Sequence, residues 1–464
     1  MKSKVSSQIG KIAILAITTV TSFAANNDIS QELKTIYGAT TSIYIYDLKN
    51  NKDILKENSD TFLIPASLQK LYTGYAAINK LGDQYKFMTS MSSNEQPEKD
   101  VLYSNLYINF SGDPTLTSND LNNMFLNLNV KNIDGDIIIN DHAFDKQAYG
   151  PGWMWDELDD CYAAPITPYI IDSNCGSALI WPSDTANTPA NFKIEEEIDQ
   201  SLVVNINTNN NSNNKCELYF LRTSNSCCEL NGCIDITSGI QKIKIAAHNT
   251  QIFLRQKIKN ILESNSITFS GSIIFQDIPP KNKVLVRHYS EPLSSIITKM
   301  LKTSDNLIAE SLYKKMGQLE TGNKGSWPSG HKELVKILRS KNIDIDESQA
   351  IDGSGLSRYN LVTSGQVMQL LRIINDDTNY KNILLQALPT AGIDGTLNWI
   401  NSTALVGQVK GKTGSMTGVY NLAGYFSTLT SDYAYVILIN GKGKQNKLIR
   451  AAAEKALNTA ILSL

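Results

Sequence analysis

A chain of 464 residues is longer than one hydrophobic core ordinarily organises, so two or more domains are expected. With 42% hydrophobic and 19% charged residues, and with only 13 prolines and 28 glycines, it is neither collagenous nor wholly disordered. Lys plus Arg is 43 against 45 acidic residues, a formal charge of -2 with no dense basic run, which argues against nucleic acid as a partner.

The N-terminus carries Lys2, Lys4 and Lys11, then the apolar run Ile12 to Val20, then Ser22-Phe23-Ala24. That order reads as a signal peptide, residues 1–24, cleaved after Ala24. Its apolar core is shorter than the ~20 residues that cross a bilayer, and a plain N-terminal anchor is the alternative. Thr41 to Tyr46 alternates as a strand does, and Asp47 to Lys52, with Asn50-Asn51 at its centre, reads as the turn of a hairpin. From Pro65 the period changes: Leu68, Leu71, Tyr72, Tyr75, Ile78 and Leu81 recur at helical spacing, and Gly82 marks the stop.

Between about Gln84 and Val286 the character shifts to short β-rich runs such as Leu102 to Phe110 and Asp136 to Asn140, separated by Asn, Gly, Asp and Pro clusters. Asn205 to Asn214 reads as a solvated loop. The six cysteines, Cys161, Cys175, Cys216, Cys227, Cys228 and Cys233, all fall in this stretch; in an exported chain an even number suggests disulfides, with the pairing open. Without a Cys-x-x-Cys pair, zinc is not expected. Helical periodicity returns at Leu293 to Leu312, Lys332 to Leu338 and Ser364 to Asn375. Strands follow at Gln408 to Lys412, Val419 to Thr428 and Tyr433 to Ile439, and then a helix at Lys447 to Leu462. No repeat of fixed period is found.

The four histidines are scattered, and neither Gly-x-Ser-x-Gly nor His-Glu-x-x-His occurs, so a Ser-His-Asp triad or a zinc protease is disfavoured. The candidate nucleophile is Ser67, at the head of the helix in Ser67-Leu68-Gln69-Lys70. Three residues apart on a helix, the Lys70 amine can reach the hydroxyl, and a serine needs such a partner because it is a poor nucleophile at its free pKa. For Lys70 to act as a base its pKa must fall, through burial or a nearby cation. Ser-x-x-Lys also occurs at Ser329-Gly330-His331-Lys332, so alone it is weak.

The pattern sharpens with Ser304-Asp305-Asn306 and Lys412-Thr413-Gly414, which follow Ser67-x-x-Lys70 in that order. Ser-x-Asn recurs at Ser92-Ser93-Asn94 and Ser212-Asn213-Asn214, but only Ser304 follows a helical run, and the Ser329 copy falls between the second and third motifs. The ordered set resembles that of the penicillin-recognising serine enzymes. The long segment between Lys70 and Ser304 makes the chain most similar to the class C penicillin-binding proteins, the D-alanyl-D-alanine carboxypeptidase/endopeptidase group of peptidase family S13. Further phrases resemble that family: Ser111 to Leu116, Pro151 to Leu158, Tyr162 to Pro165, Asp352 to Arg358 and Gly392 to Leu397. The cysteines around Tyr162 to Pro165 depart from it.

The resemblance implies an α/β (α+β) fold of the penicillin-recognising transpeptidase/β-lactamase type, an antiparallel sheet flanked by helices with a large, mainly β insert. The catalytic domain would comprise residues 25–85 and 287–464, and the insert 86–286, in two subdomains. It also implies the chemistry. Ser67 attacks the carbonyl between two D-alanines, Lys70 is the base, Ser304 relays a proton to the leaving amine, and Asn306 hydrogen-bonds Lys70 and the substrate carbonyl. Lys412 and Thr413, before Gly414, meet the terminal carboxylate, and the backbone N–H groups of Ser67 and Ser415 form the oxyanion hole. No metal or organic cofactor is required. The implied partners are peptidoglycan peptides and, as covalent inhibitors, β-lactams, in the periplasm; oligomeric state stays open. A β-lactamase and a noncatalytic wall-binding scaffold are the rival readings.

Overall fold

The computed structural model describes residues 29, 31–33, 35–195, 202–210, 216–222, 228–277, 283–346, 349–441 and 446–464. Residues 1–24, read above as a signal peptide, lie outside them. The chain forms two compact units, one of Met1–Asn79, Ile297–Ser304 and Val335–Leu464, the other of Lys80–Ile296 and Asp305–Leu334.

The first unit is built on a five-stranded antiparallel sheet of β1 (Thr40–Asp47), β2 (Lys52–Glu57), β3 (Val409–Met416), β4 (Val419–Ser427) and β5 (Asp432–Asn440), in spatial order β3-β4-β5-β1-β2. The turn after β1 is organised by Asp47. Its carboxylate accepts from the Lys49 and Asn50 amides at 3.0 and 2.9 Å and from the Ser431 hydroxyl at 2.6 Å, while Asn51 takes the left-handed conformation that such turns need. The central strands are buried on both faces, which is why Tyr433 to Ile439 is apolar throughout instead of alternating.

Helix α1 (Gln69–Leu81), α2 (Leu293–Thr303), α3 (Ser364–Asp376) and α4 (Asn446–Ser463) supply the cover. On one face Ile449, Ala453, Ala456 and Leu457 of α4 share a core with Ile43, Ile45, Tyr435 and Ile437. On the other face α3 begins at a Thr363–Gln366 capping box, bonds Ser42 through the Ser364 hydroxyl at 2.6 Å, and lays Arg372 over the Tyr46 ring. This is the expected antiparallel sheet flanked by helices. The helical run expected from Leu293 to Leu312 is interrupted: α2 ends at Thr303, Ser304 is left-handed at φ 60°, and a new helix runs Asn306–Thr321 with Asp305 as its N-cap, accepting from the Ile308 amide at 3.0 Å.

Among the described residues the second unit holds a mixed five-stranded sheet, in order Ile273–Gln276, Ile137–Asn140, Leu106–Asn109, Met88–Ser93 and Lys283–Tyr289, together with three three-stranded sheets. Its main core joins Ile108 and Ile139 to Leu121, Phe125, Phe253 and Ile258. The last four lie on two helices, Ser118–Asn127 and Thr250–Ser264, that the β-rich reading passed over. Both have side-chain caps, from Thr117 and Asn249.

The asparagine tract is corrected in part. Asn205–Asn209 lies in the strand Val203–Asn209, paired parallel to Cys228–Asp235, because Ile206 and Thr208 alternate inward between outward-facing asparagines; 211–214 lies outside the described residues. Among the described residues, disulfides join Cys161 to Cys175 and Cys216 to Cys233; Cys227 is outside the described residues. Among the described residues no helix is long and apolar enough to cross a membrane.

Candidate active site

Ser67 sits in a single 3-10 turn, Ala66–Leu68, that leads into α1. Pro65 precedes the turn, with a φ already suited to a helix start, and the Leu68 amide closes it on the Pro65 carbonyl at 3.3 Å. Ala66 is held at φ 46°, a left-handed conformation costing a residue with a Cβ on the order of 1 kcal/mol or more. Three residues on, Lys70 is fully buried, and its amine donates to Ser67 Oγ and to the Ser354 carbonyl, each at 2.8 Å. The pair therefore meets as helical spacing predicts, with Ser67 partly exposed.

A second buried lysine faces this one. Lys412 on β3 has no exposed surface, and its amine donates to Ser304 Oγ at 2.8 Å and to the Thr413 carbonyl at 2.7 Å. Burial pushes its pKa well below that of a free lysine, and the charge of Lys70 pushes it further in the same direction. The Thr413 hydroxyl donates to Thr396 Oγ1 at 2.8 Å, and Ser415 is exposed at the end of the strand. At Gly414 a Cβ would overlap the Pro65 carbonyl oxygen and stand 3.2 Å from the amide nitrogens of Ser67 and Leu68. Only glycine lets β3 run this close to the Ser67 turn.

Ser67, Lys70, Ser304, Lys412, Thr413, Gly414 and Ser415 are thus gathered in the first unit. Asn306, two residues beyond Ser304, belongs to the second unit, where its carboxamide donates to the Tyr162 carbonyl at 2.8 Å. The other Ser-x-x-Lys is built differently. Ser329 Oγ accepts from the Ser326 amide at 3.0 Å at the start of the helix Trp327–Ser340, and Lys332 is exposed. All four histidines fall in the second unit, His248 with its Nε2 2.6 Å from Asp159 and its Nδ1 3.0 Å from the Tyr149 hydroxyl.

Residues with no chemical signature of their own complete the surroundings. Buried Asp352 accepts from the Gly355 amide at 2.8 Å, the Ser357 amide at 2.6 Å and Asn360 Nδ2 at 2.8 Å, and so holds the loop whose Ser354 carbonyl meets Lys70. In the same loop the Gly353 carbonyl accepts from Thr73 of α1 at 2.6 Å, and Gly355, at φ 86°, packs flat against the Ala66 carbonyl. Asp394 binds Lys302 of α2 at 2.6 Å and the Thr390 amide at 2.8 Å, which steadies the turn carrying Thr396. Asp352 to Arg358 and Gly392 to Leu397 are among the phrases that resemble the family, although residue by residue they read as turns. The signal they carry is a buried-type Asp followed by glycines, which points to a loop folded about its own carboxylate.

A buried lysine on a serine, and a second buried lysine on a second serine, form an arrangement in which an amine can take a hydroxyl proton, as acyl transfer by serine needs. The model of the D-Ala-D-Ala carboxypeptidase 3 (S13) family matches residues 24–460. The chain belongs to this family. Like the family's other members, it is a serine-type D-alanyl-D-alanine carboxypeptidase, a hydrolase. It is 31% identical to the D-alanyl-D-alanine carboxypeptidase DacB of Haemophilus influenzae, over 95% of this chain and 93% of that one. The crystal structure of penicillin binding protein 4 (dacB) from Haemophilus influenzae superposes with a TM-score of 0.85 at 30% identity, covering 94% of this chain and 98% of that one. The same protein complexed with a novel β-lactam gives a TM-score of 0.80 at 28% identity, covering 94% and 99%. The S13 chain therefore has the expected penicillin-recognising fold.

Proposed function

We propose that Ser67 is the residue acylated in this carboxypeptidase, and that its substrates are peptidoglycan peptides carrying a D-alanyl-D-alanine bond. Ser67 Oγ attacks the carbonyl carbon of that bond while its proton passes to the Lys70 amine. The oxyanion lies between the backbone N–H groups of Ser67 and Ser415, where each such donor is worth on the order of 10²-fold or more in rate. The C–N bond then breaks, the departing D-alanine amine takes a proton through the Ser304 hydroxyl, and water hydrolyses the ester with Lys70 as base again.

Lys412 and the Thr413 hydroxyl receive the terminal carboxylate, Gly414 leaves room beside the nucleophile turn, and the Asn306 carboxamide binds the peptide carbonyl of the substrate. Endopeptidase cleavage of cross-linked peptides follows the same steps with a longer leaving group. β-Lactams acylate Ser67 in the same way and leave slowly. The reading is supported above all by the 2.8 Å contact of a fully buried Lys70 amine with Ser67 Oγ, and the β-lactam complex of the Haemophilus relative is in keeping with it. The basic, then apolar, then small-residue N-terminus supports export, to the periplasm.

The test is a fluorescent penicillin with peptide mapping by mass spectrometry, on the mature chain and on Ser67→Ala. A stable adduct on Ser67, absent from a Ser67→Ala variant with an unchanged unfolding curve, is the expected result. Labelling that persists in Ser67→Ala overturns the assignment, and rapid penicillin turnover in place of a stable adduct favours a β-lactamase.

A further inference from the structure

The turn that carries Ser67 is tethered from behind by the sheet. Asn421, in the middle of β4, has no exposed surface, although every neighbouring position of the strand from Val419 to Gly424 is buried and otherwise apolar in character. A carboxamide in such a place is costly unless all its bonds are made, and here they are. Its Oδ1 accepts from the Ile439 amide at 3.0 Å, which fixes which end of the side chain is the NH2, and its Nδ2 donates to the carbonyls of Ile64 and Pro65, each at 2.9 Å. From β5, Asn440 Oδ1 accepts from the Ile64 amide at 2.9 Å and its Nδ2 reaches the Ile64 carbonyl at 3.4 Å.

The cross-strand partner of Asn421 is Gly414, whose missing side chain leaves the space that the Pro65 carbonyl fills. That carbonyl is also the acceptor closing the Ser67 turn, through a Leu68 amide at 3.3 Å. Between it and the Ser67 N–H stands only Ala66, in its left-handed conformation. A single 3.3 Å bond is a weak restraint on a strained residue. The Asn421 amide takes the second lone pair of the same oxygen and so holds the peptide plane from which the Ser67 N–H and Oγ directions follow.

We infer that Asn421, seconded by Asn440, is a positioning residue for the reaction: it sets the orientation of the nucleophile turn and of the oxyanion-binding N–H of Ser67 without touching substrate. This rests on the role proposed above for Ser67. A misplacement of about 1 Å in a reacting group costs on the order of 10²-fold, so loss of the tether is read in the rate of acylation and not in substrate affinity.

The experiment measures the acylation rate of the mature protein by a fluorescent penicillin, and kcat and KM for a D-alanyl-D-alanine peptide, across pH, with thermal unfolding alongside. Asn421→Leu keeps the volume and removes the bonds. Tyr425→Phe is the control, because it deletes another buried bond of β4, to the Leu371 carbonyl at 2.7 Å, away from the turn. Asn421→Leu is expected to lower acylation and kcat by roughly tenfold or more, with KM within about twofold and the shape of the pH profile kept, since Lys70 and Lys412 are untouched. Tyr425→Phe is expected to lose stability while its acylation stays near wild type. If Asn421→Leu does not fold, Asn440→Ala carries the same comparison, with a loss of several-fold expected. A folded Asn421→Leu, or failing that a folded Asn440→Ala, that acylates within about twofold of wild type overturns the inference. Failure of the wild type itself to be labelled on Ser67 strikes instead at the role of Ser67, so the two failures are distinct.

Discussion

The approach of β3 to the nucleophile turn gives the sharpest prediction. In Gly414→Ala the new methyl would overlap the Pro65 carbonyl oxygen and crowd the Ser67 and Leu68 amides at 3.2 Å. The obstacle is backbone on both sides, so no side chain can rotate away, and restoring ordinary contact at about 3.5 Å requires strand and turn to part by about 1 Å. Overpacking of this kind costs about 1–3 kcal/mol in stability. Its catalytic cost is larger, because the displaced strand carries Lys412, Thr413 and the Ser415 N–H while the displaced turn carries Ser67. A shift of about 1 Å between groups that must converge lowers the rate by about 10²-fold. The assay is stopped-flow acylation by a chromogenic cephalosporin, with unfolding followed by circular dichroism on the same sample. A Gly414→Ala protein that folds and acylates within about threefold of wild type would refute the reasoning, since it would mean that the closeness of strand and turn is unimportant to the chemistry.

Asp352→Ala leaves the amides of Gly355 and Ser357 without their buried acceptor, at about 1–3 kcal/mol for each, and leaves the Asn360 carboxamide only the Ser357 carbonyl at 3.1 Å; a lowered unfolding temperature together with slower acylation is expected, because the Ser354 carbonyl no longer holds Lys70. In the second unit, burial lowers Lys315 from 10.5 to about 8. The unfolded chain therefore binds more protons between about pH 8 and 10.5, and stability rises with pH across that window. Lys315→Met should stabilise the protein by up to about 3 kcal/mol at neutral pH, a gain that shrinks as the pH approaches 10.5; denaturant midpoints that stay a constant distance apart from pH 7 to 10.5 would contradict the account. Exchanging the exposed Ser415 side chain for alanine should change acylation little, since only its backbone N–H is invoked, and a loss beyond about tenfold would assign the hydroxyl a part.

Much of the first unit was legible because local pattern and tertiary use agree there. The helical period after Pro65 and the stop at Gly82 correspond to α1, which ends at Leu81 before a left-handed glycine, and the three-residue spacing from the 3-10 turn into α1 brings the Lys70 amine to Ser67. The break at Ser304 was not legible, since the apolar period runs on through it. What interrupts the helix is a left-handed serine followed by the Asp305 cap, a conformation that sequence marks clearly only when the residue is glycine. The helices Ser118–Asn127 and Thr250–Ser264 were lost among β-rich neighbours, although Thr117 with Asp120 is a capping box in plain sequence. The asparagine tract misled because composition outweighed the two-residue alternation of Val204, Ile206 and Thr208.

By itself the sequence determined the family and the order of the three motifs, because these depend on local spacing and on side-chain chemistry. Only the tertiary structure decided that Lys70 and Lys412 are both buried, which depresses the pKa of the latter, and that Cys161 pairs with Cys175 and Cys216 with Cys233. It alone showed that Asp352, Asn421 and Asn440, hundreds of residues from Ser67, hold the backbone on which Ser67 and Lys70 depend. Their effect is exerted through hydrogen bonds to main-chain atoms. Every residue presents those same atoms, so nothing in the sequence around Ser67 records which distant amide or carboxylate will reach them.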